Sequence, residues 1–208
     1  MSQIIVAQNR DGIILVAENR AVQMGEGEKE VEFHLDRLFP LTHDCGLIVA
    51  GAAEGVDMGK ALKNFIGEEK MTDVQEIYGA SLAFLSTEYE RFMRKKCEVL
   101  PIDPIHKISF ILAGRTERDK DMPFRLYFLW TKRKLLQLDG EEIPNVFSLP
   151  RRMGLEFQLN KLCKENASLK EIVKRVVEEI KRLKDQEEVS SSFSFATISK
   201  KGYQSFNP

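Results

Sequence analysis

The sequence has few cysteines and lacks the spacing of a disulfide framework. Its 208 residues include three cysteines, Cys45, Cys97 and Cys163, and no two of them form a CxxC pair. An odd number of isolated cysteines is typical of reduced thiols, so we predict an intracellular, cytoplasmic protein. The three histidines are also scattered, and their spacing predicts no metal site.

Long apolar runs and a charge imbalance are also missing. No apolar run approaches the roughly 18 residues that a membrane helix needs, and no basic-then-apolar leader is present. We therefore expect neither a membrane span nor a signal peptide. The formal net charge of −1 gives no general attraction to nucleic acid or to a membrane surface. The chain has no P-loop and no GxGxxG motif, and we predict no cofactor.

The first 22 residues carry the clearest local pattern. Two strand-like runs, 3–7 and 13–17, flank Asp11-Gly12, which indicates an antiparallel hairpin because glycine accepts the positive φ of such turns. Met1 precedes the small residue Ser2, so we expect Met1 to be removed and Ser2 to carry a free α-amine. A hydroxyl and an amine on one residue can act together as nucleophile and base.

Hydrophobic periodicity predicts groups of strands that alternate with pairs of helices. We expect strands at 3–9, 12–22, 31–41 and 46–51, helices at 54–66 and 72–95, strands at 108–114, 124–130, 134–138 and 145–149, helices at 152–164 and 168–185, and strands at 192–199 and 203–206. The helix at 168–185 is the best marked, because Ser168 and Glu171 form a capping box before a continuous apolar face. Two sheets between helical layers would bury these faces, so we predict one α+β domain over residues 1–208.

Three stretches follow one another in the N-terminal part of the chain: DGIILVAENRA at 11–21, RLFPL at 37–41 and GLIVAGAAEG at 46–55. They resemble, in the same order, three segments of proteasome β-type subunits, a family of N-terminal-nucleophile (Ntn) hydrolases. These segments are the opening hairpin, the strand that carries the active-site lysine, and the glycine turn before the first long helix. The resemblance implies a four-layer αββα sandwich, in which helices flank two antiparallel sheets.

The resemblance also implies a catalytic site. Its candidate residues are Ser2, Glu18, Arg37, Gly51 and Asp185. Ser2 would supply the attacking hydroxyl and the basic amine, and Gly51 would supply a backbone N–H to the developing oxyanion. Glu18 would orient the site, Arg37 would provide a fixed positive charge, and Asp185 matches a late active-site aspartate of the family.

Several positions depart from the family's pattern. Glu18 replaces an aspartate, and Arg37 replaces a lysine; arginine stays protonated and cannot shuttle a proton. Residues 147–154 are bulky and basic where the family has a Gly/Ser-rich turn, and Glu188 stands where a serine is expected. Two hypotheses therefore stay open: an intracellular peptidase that uses Ser2, and a catalytically inactive structural subunit of the same fold.

Four of the five candidate residues also have a purely structural interpretation. Ser2 can be an ordinary second residue at an exposed strand end, and Gly51 can form a simple strand-to-helix turn. Glu18 can be a surface carboxylate that pairs with Arg20, or it can form an ion pair with Arg37 in an inactive site.

The partners follow from the same resemblance. We expect peptides or unfolded proteins as substrates, assembly into a homo-oligomer such as a ring, and an unfoldase as a further partner. The near-neutral charge predicts no nucleic-acid partner and no membrane partner.

Overall fold

The computed structural model describes residues 3–24, 30–97, 107–132, 136–186, 189–190 and 192–208. Within these residues the chain has a mixed α+β fold with four helices and three antiparallel sheets. The strands are β1 (Ile4–Asn9), β2 (Gly12–Glu18), β3 (Arg20–Met24), β4 (Glu30–His34), β5 (Leu38–Pro40), β6 (Cys45–Gly51), β7 (Ile108–Arg115), β8 (Phe124–Thr131), β9 (Leu138–Glu142), β10 (Val146–Leu149), β11 (Phe193–Ser199) and β12 (Gly202–Phe206). The helices are α1 (Glu54–Glu68), α2 (Val74–Cys97), α3 (Met153–Lys164) and α4 (Leu169–Asp185).

Two of the sheets have five strands each. The N-terminal sheet has the strand order β10-β1-β2-β11-β12, and the central sheet has the order β5-β6-β7-β8-β9. The short strands β3 and β4 pair separately. Hairpins join β1 to β2, β7 to β8 and β11 to β12, whereas longer connections join β6 to β7, β1 to β10 and β2 to β11; all of these pairs are antiparallel.

The predicted hairpin between β1 and β2 is confirmed. Asn9 lies opposite Gly12, and the Asn9 side-chain oxygen accepts hydrogen bonds from the N–H groups of Asp11 (2.9 Å) and Gly12 (3.1 Å). A Cβ atom at Gly12 would lie 2.4 Å from the carbonyl oxygen of Ile198 in β11. Glycine is therefore needed at this turn because a neighbouring strand passes so close to its backbone.

Three apolar clusters bury the faces of the two large sheets. The first lies between the central sheet and helices α1 and α2, with Leu47 and Leu62 among its members. The second lies between the two sheets and contains Leu15 and Ile111. The third joins the N-terminal sheet to α3 and α4. Both faces of each large sheet are thus covered, which is why β1, β2 and β6 are almost continuously apolar and buried.

The helices follow the sequence predictions closely. The capping box of Ser168 and Glu171 is present at the start of α4, and its predicted apolar face packs on the N-terminal sheet. Helix α2 begins at Val74 rather than at Thr72, because the Asp73 carboxylate accepts the Gln75 N–H at 2.9 Å and so precedes the first helical turn. None of the helices in the described ranges combines the length and the apolarity needed to cross a membrane.

Two predicted strands are each divided in the structure. The strand predicted at 12–22 ends at Glu18 and resumes at Arg20, because the backbone of Asn19 bonds to Ser192 and Leu35 rather than to β1. The strand predicted at 31–41 is interrupted between His34 and Leu38. The prediction at 134–138 falls partly on residues outside the described ranges, and β9 begins only at Leu138.

Candidate functional site

Glu18 is the most deeply embedded carboxylate among the predicted site residues. It ends β2 and is 4% exposed. One carboxylate oxygen accepts the Gln3 N–H at 2.8 Å, and the other accepts the Ser190 N–H at 2.6 Å. The interpretation of Glu18 as a surface carboxylate is wrong because the residue is buried, and Arg20 forms an ion pair with Glu32. Glu18 instead joins the start of β1 to the segment that precedes β11.

Arg37 is equally buried, with 3% of its surface exposed, and it directly precedes β5. Its Nη1 donates to the carbonyl oxygen of Gly51 at 3.1 Å, and its Nε has no partner among the described residues. Burial lowers the pKa of the Arg37 guanidinium, and the nearby negative charge of Glu18 only partly offsets this effect. The site therefore contains a buried cation with unused hydrogen-bonding capacity.

Gly51 ends β6 with a φ of +87°, and a Cβ atom at this position would lie 1.9 Å from the carbonyl oxygen of Lys107. Only glycine fits this backbone. Ala52 N–H donates to the same Lys107 oxygen at 3.1 Å. Because bonding directions alternate along an antiparallel pair, the Gly51 N–H points away from β7. It faces the side on which Arg37 donates to the Gly51 carbonyl.

Gln3 is fixed by a second set of polar contacts that the sequence analysis missed. Its side-chain oxygen accepts a hydrogen bond from Arg152 Nε at 2.6 Å. Arg152 in turn donates its backbone N–H to the Ser148 hydroxyl at 2.7 Å, and Ser148 donates to Glu156 at 2.6 Å. The bulky, basic segment at 147–154 therefore anchors the first described residue of the chain instead of forming a small, hydroxylic turn.

Glu156 is the charged centre of this network. Arg151 donates to both Glu156 oxygens, from Nε at 2.8 Å and from Nη2 at 2.6 Å. Burial raises the pKa of Glu156, but the hydrogen bonds from Arg151 and Ser148 more than compensate, and the net pKa lies below its usual value. Glu156 is thus held as a carboxylate, and it is linked to Gln3 through Ser148 and Arg152.

The structure brings together Glu18, Arg37 and Gly51, but it does not do so for all five predicted residues. Ser2 lies outside the described residues. Asp185 is the exposed last residue of α4, and it is the later residue Ser190 whose N–H reaches Glu18. Glu188, which occupies the position of the family's serine, also lies outside the described ranges.

Asn19 adds a further buried polar group beside Glu18. Its side-chain N–H donates to the Ser194 hydroxyl at 2.8 Å, while its side-chain oxygen has no partner among the described residues. Asn19 lies within the segment that resembles the family, but its side chain carried no signal of its own. Its role depends on β11, which is distant in the sequence.

Two open clefts lie along strands β5, β11 and β12. A groove of about 940 Å³ follows the edge strand β12 and the start of α4, and its walls include Leu38, Tyr203 and Phe206. A smaller cleft shares those three residues and extends to Ser194, which bonds to Asn19. Leu38 follows Arg37 directly, but Glu18, Arg37 and Gly51 themselves line neither cleft.

The described residues offer neither a cluster of metal-binding side chains nor an activated thiol. No group of three or more His, Cys, Asp or Glu side chains is arranged to hold a metal ion in the part of the chain that the structure describes. Cys45 and Cys163 are free thiols, and burial raises the pKa of both. A raised thiol pKa disfavours the reactive thiolate.

Comparison of the sequence with models of protein families found no match, and comparison with curated proteins found none either. A buried carboxylate, a buried guanidinium and a backbone N–H at a glycine turn can orient and polarise a substrate carbonyl. A nucleophile has to come from a neighbouring residue.

Proposed function

We propose that the chain is an Ntn-type amide hydrolase with the αββα sandwich of proteasome-like proteins. Ser2, exposed by the removal of Met1, would be its nucleophile, and the substrates would be peptides or unfolded polypeptides. The Ser2 hydroxyl attacks the carbonyl carbon, and the α-amine accepts the hydroxyl proton and returns it to the leaving amine. An unperturbed α-amine has a pKa of about 7.7–8.0, close to working pH.

The pair of hydrogen bonds on Glu18 is the observation that carries this proposal. Glu18 Oε2 accepts a hydrogen bond from the Gln3 N–H, and this N–H is part of the peptide bond between Ser2 and Gln3. The same carboxylate holds Ser190, and Arg152 holds the Gln3 side chain. A catalytic group must be held within fractions of an ångström, and these contacts anchor the residue to which Ser2 is attached.

Arg37 and Gly51 supply the electrostatic part of the proposal. The buried Arg37 charge lowers the pKa of a neighbouring amine or hydroxyl without itself exchanging a proton. The Gly51 N–H is the candidate donor to the oxyanion that develops on the attacked carbonyl. Within the described residues, Arg37 Nε is a donor without a partner and Asn19 Oδ1 is an acceptor without one. An amide substrate carries a group of each complementary kind.

A second copy of the chain is the proposed structural partner, in keeping with a homo-oligomer such as a ring. Helix α3 presents Met153 (73% exposed) and Phe157 (74% exposed) one helical turn apart. Strand β4 also presents Val31 and Phe33 to solvent beside the acidic Glu32. Large apolar side chains that cluster at the surface are typical of contact sites, and the basic residues Arg151 and Lys161 flank those of α3.

The test is intact-mass analysis of the native protein after exposure to a peptide epoxyketone, a reagent directed at N-terminal nucleophiles. We expect loss of Met1 and a covalent adduct that maps to Ser2. A retained Met1 would remove the general base and overturn the proposal. The Ser2→Ala variant should abolish hydrolysis of a peptide panel, and surviving hydrolysis would show that another residue is the nucleophile.

A catalytically inactive subunit of the same fold is the second candidate function. The observation that favours it is that both Glu18 oxygens and Arg37 Nη1 already bond to the protein backbone. These charges then serve to hold β1, β6 and the segment before β11 together. Loss of Met1 without an adduct at Ser2 and without peptide hydrolysis would favour this function over the first.

A further inference from the structure

Asp36, His34 and Ser192 form a hydrogen-bonded chain close to the predicted site. His34 Nε2 lies 2.8 Å from Asp36 Oδ1, and His34 Nδ1 lies 3.1 Å from the Ser192 hydroxyl oxygen. Ser192 is remote in the sequence from His34 and Asp36, and neither their spacing nor the resemblance to proteasome subunits pointed to the three residues.

The carboxylate determines which nitrogen of the histidine is basic. An ionised Asp36 can only accept a hydrogen bond, so the neutral His34 ring must carry its proton on Nε2. Nδ1 is then the unprotonated nitrogen, and it accepts the hydroxyl hydrogen of Ser192. This arrangement of carboxylate, imidazole and hydroxyl is the one that activates serine nucleophiles on unrelated folds.

The backbone holds His34 and Ser192 in place through Asn19. Asn19 N–H donates to the Ser192 carbonyl oxygen at 3.0 Å, and the N–H of Leu35, next to His34, donates to the Asn19 carbonyl oxygen at 2.8 Å. The serine and the histidine are therefore attached to the two sides of one residue, which fixes their separation. Asn19 itself is buried, so this attachment is rigid.

The chain of three residues is open to solvent, unlike Glu18 and Arg37. The side chains of His34 and Asp36 are 58% and 76% exposed, and Ser192 is partly exposed. A small substrate can reach the Ser192 hydroxyl without entering the buried cluster. The site is thus separate from the one in the proposed function, and it does not depend on removal of Met1.

We propose that Ser192 is a second nucleophile of this protein, which accepts the acyl group of small esters with a weakly basic leaving group, such as aryl esters. The Ser192 oxygen attacks the ester carbonyl carbon while its proton passes to His34 Nδ1. The bond to the aryl oxygen breaks, and the phenol leaves with the proton that His34 Nδ1 returns to its oxygen. Water, deprotonated by His34, then releases the acid and restores the Ser192 hydroxyl.

The restriction to such esters follows from the surroundings of Ser192. Exposed groups are solvated by water, which weakens electrostatic stabilisation of an oxyanion compared with a buried site. An aryloxide leaves readily without that assistance, whereas the amine of a peptide does not. Peptide hydrolysis is therefore assigned to the Ser2 site and ester chemistry to Ser192.

The experiment is active-site labelling of the full chain with a fluorophosphonate probe, followed by peptide mapping, with para-nitrophenyl acetate hydrolysis as a second readout. We expect a phosphonyl adduct on Ser192, formed roughly 100-fold more slowly in His34→Gln, since general-base catalysis typically contributes at least that factor. Asp36→Asn should also slow labelling, because it no longer fixes the tautomer of His34. Ser192→Ala should lose the adduct and the rapid release of para-nitrophenolate.

His43→Gln is the matched control, since His43 Nδ1 and Asp44 Oδ1 form a similar exposed pair at 3.0 Å. It should label like the unaltered protein, and unfolding midpoints would show that all variants are folded. The proposal is overturned if Ser192 carries no adduct, or if His34→Gln labels at the rate of His43→Gln. Labelling of Ser192 should persist in the Ser2→Ala variant, which separates this site from the proposed peptidase site. Either proposal can then be disproved while the other stands.

Discussion

Gln3 and Glu18 hold each other through two hydrogen bonds, one from each backbone N–H. Glu18 N–H donates to the Gln3 carbonyl oxygen at 2.8 Å, and Gln3 N–H donates to the Glu18 carboxylate at 2.8 Å. The first bond continues the ladder of β1 and β2 beyond Ile4 and Ala17. The second hydrogen bond, from Gln3 N–H, is accepted by the Glu18 side chain at the end of this ladder. It therefore fixes the first described residue at a position where strands commonly fray.

Replacement of Glu18 by Gln should destabilise the protein. Both carboxylate oxygens accept backbone N–H groups, and the amide of Gln would direct a donor at one of them. We expect a loss of about 1–3 kcal/mol in the free energy of unfolding, the usual range for an unsatisfied buried donor. Urea unfolding measures it. Glu32→Gln, at an exposed surface pair, is the control and should cost less than about 1 kcal/mol; equal losses in the two variants would contradict the buried role of Glu18.

Arg37 and Glu18 should be energetically coupled. Arg37→Met removes the buried cation whose charge acts on the Glu18 carboxylate, and groups in one buried charge network typically couple by about 0.5–3 kcal/mol. In the double variant Glu18→Gln with Arg37→Met, the carboxylate is no longer charged, so the loss should be smaller than the sum of the single losses. A double-mutant cycle of unfolding free energies gives the coupling directly. Strict additivity would show that the two charges do not interact.

Gly51→Ala should be damaging, whereas a glycine-to-alanine change in an open helix should not. Alanine at φ +87° costs about 1–2 kcal/mol from the left-handed backbone alone, and its Cβ would meet the Lys107 carbonyl oxygen. Gly79 in α2 has open space around it, so Gly79→Ala should stabilise the protein by about 0.5–1 kcal/mol. Thermal unfolding of both variants tests the contrast. An unfolding temperature for Gly51→Ala at or above that of the unaltered protein would rule out the strained turn.

Glu156 should contribute stability above its unfolded pKa and lose it in acid. Its folded pKa lies below the ordinary value of 4.5, because bonds from Arg151 and Ser148 outweigh burial. A carboxylate whose pKa is lowered by folding stabilises the folded state at pH values above its unfolded pKa. This contribution disappears as the pH falls through the folded pKa. We expect Glu156→Gln to lower the free energy of unfolding by about 1.5–3 kcal/mol at neutral pH. The difference from the unaltered protein should become progressively smaller below pH 4.5. Unfolding measured across this range tests the sign, and a loss that grows in acid would refute it.

The apolar face of α3 should matter for assembly and not for folding. Phe157→Glu places a charge where the side chain is largely exposed, so the unfolding free energy should stay within about 0.5 kcal/mol of the original. The proposed contact with a second copy should nevertheless weaken, and light scattering after size-exclusion chromatography should show smaller particles. Gln158→Glu, which adds the same charge at the neighbouring position, is the comparison. Unchanged particle size in Phe157→Glu would exclude this face from an interface.

Local patterns predicted the elements of the fold well, because their causes are local. The turn residues at Asp11-Gly12 and the capping box at Ser168 and Glu171 act over a few positions, and both are present. The break of a predicted strand at Asn19 could not be found in this way. It arises because Ser192 and Leu35, remote in the sequence, compete for the Asn19 backbone.

The candidate site was predictable only where the resemblance supplied residues. The structure does bring together Glu18, Arg37 and Gly51, although the sequence pattern did not predict how close they lie to one another. Gln3, Ser190 and Arg152 complete the cluster through contacts that depend on the tertiary fold. No periodicity marks such residues, because their partners lie on other strands and loops. The same reason explains why His34 and Ser192 were not singled out.

The polar cluster is divided between the two large sheets. Glu18 ends β2 of the N-terminal sheet, whereas Arg37 directly precedes β5 and Gly51 ends β6, both strands of the central sheet. Neither sheet alone contains both buried charges, and each charge would be solvated before the sheets meet. The cluster therefore exists only where the two sheets pack together, and either sheet alone has the residues of half a site without its chemistry.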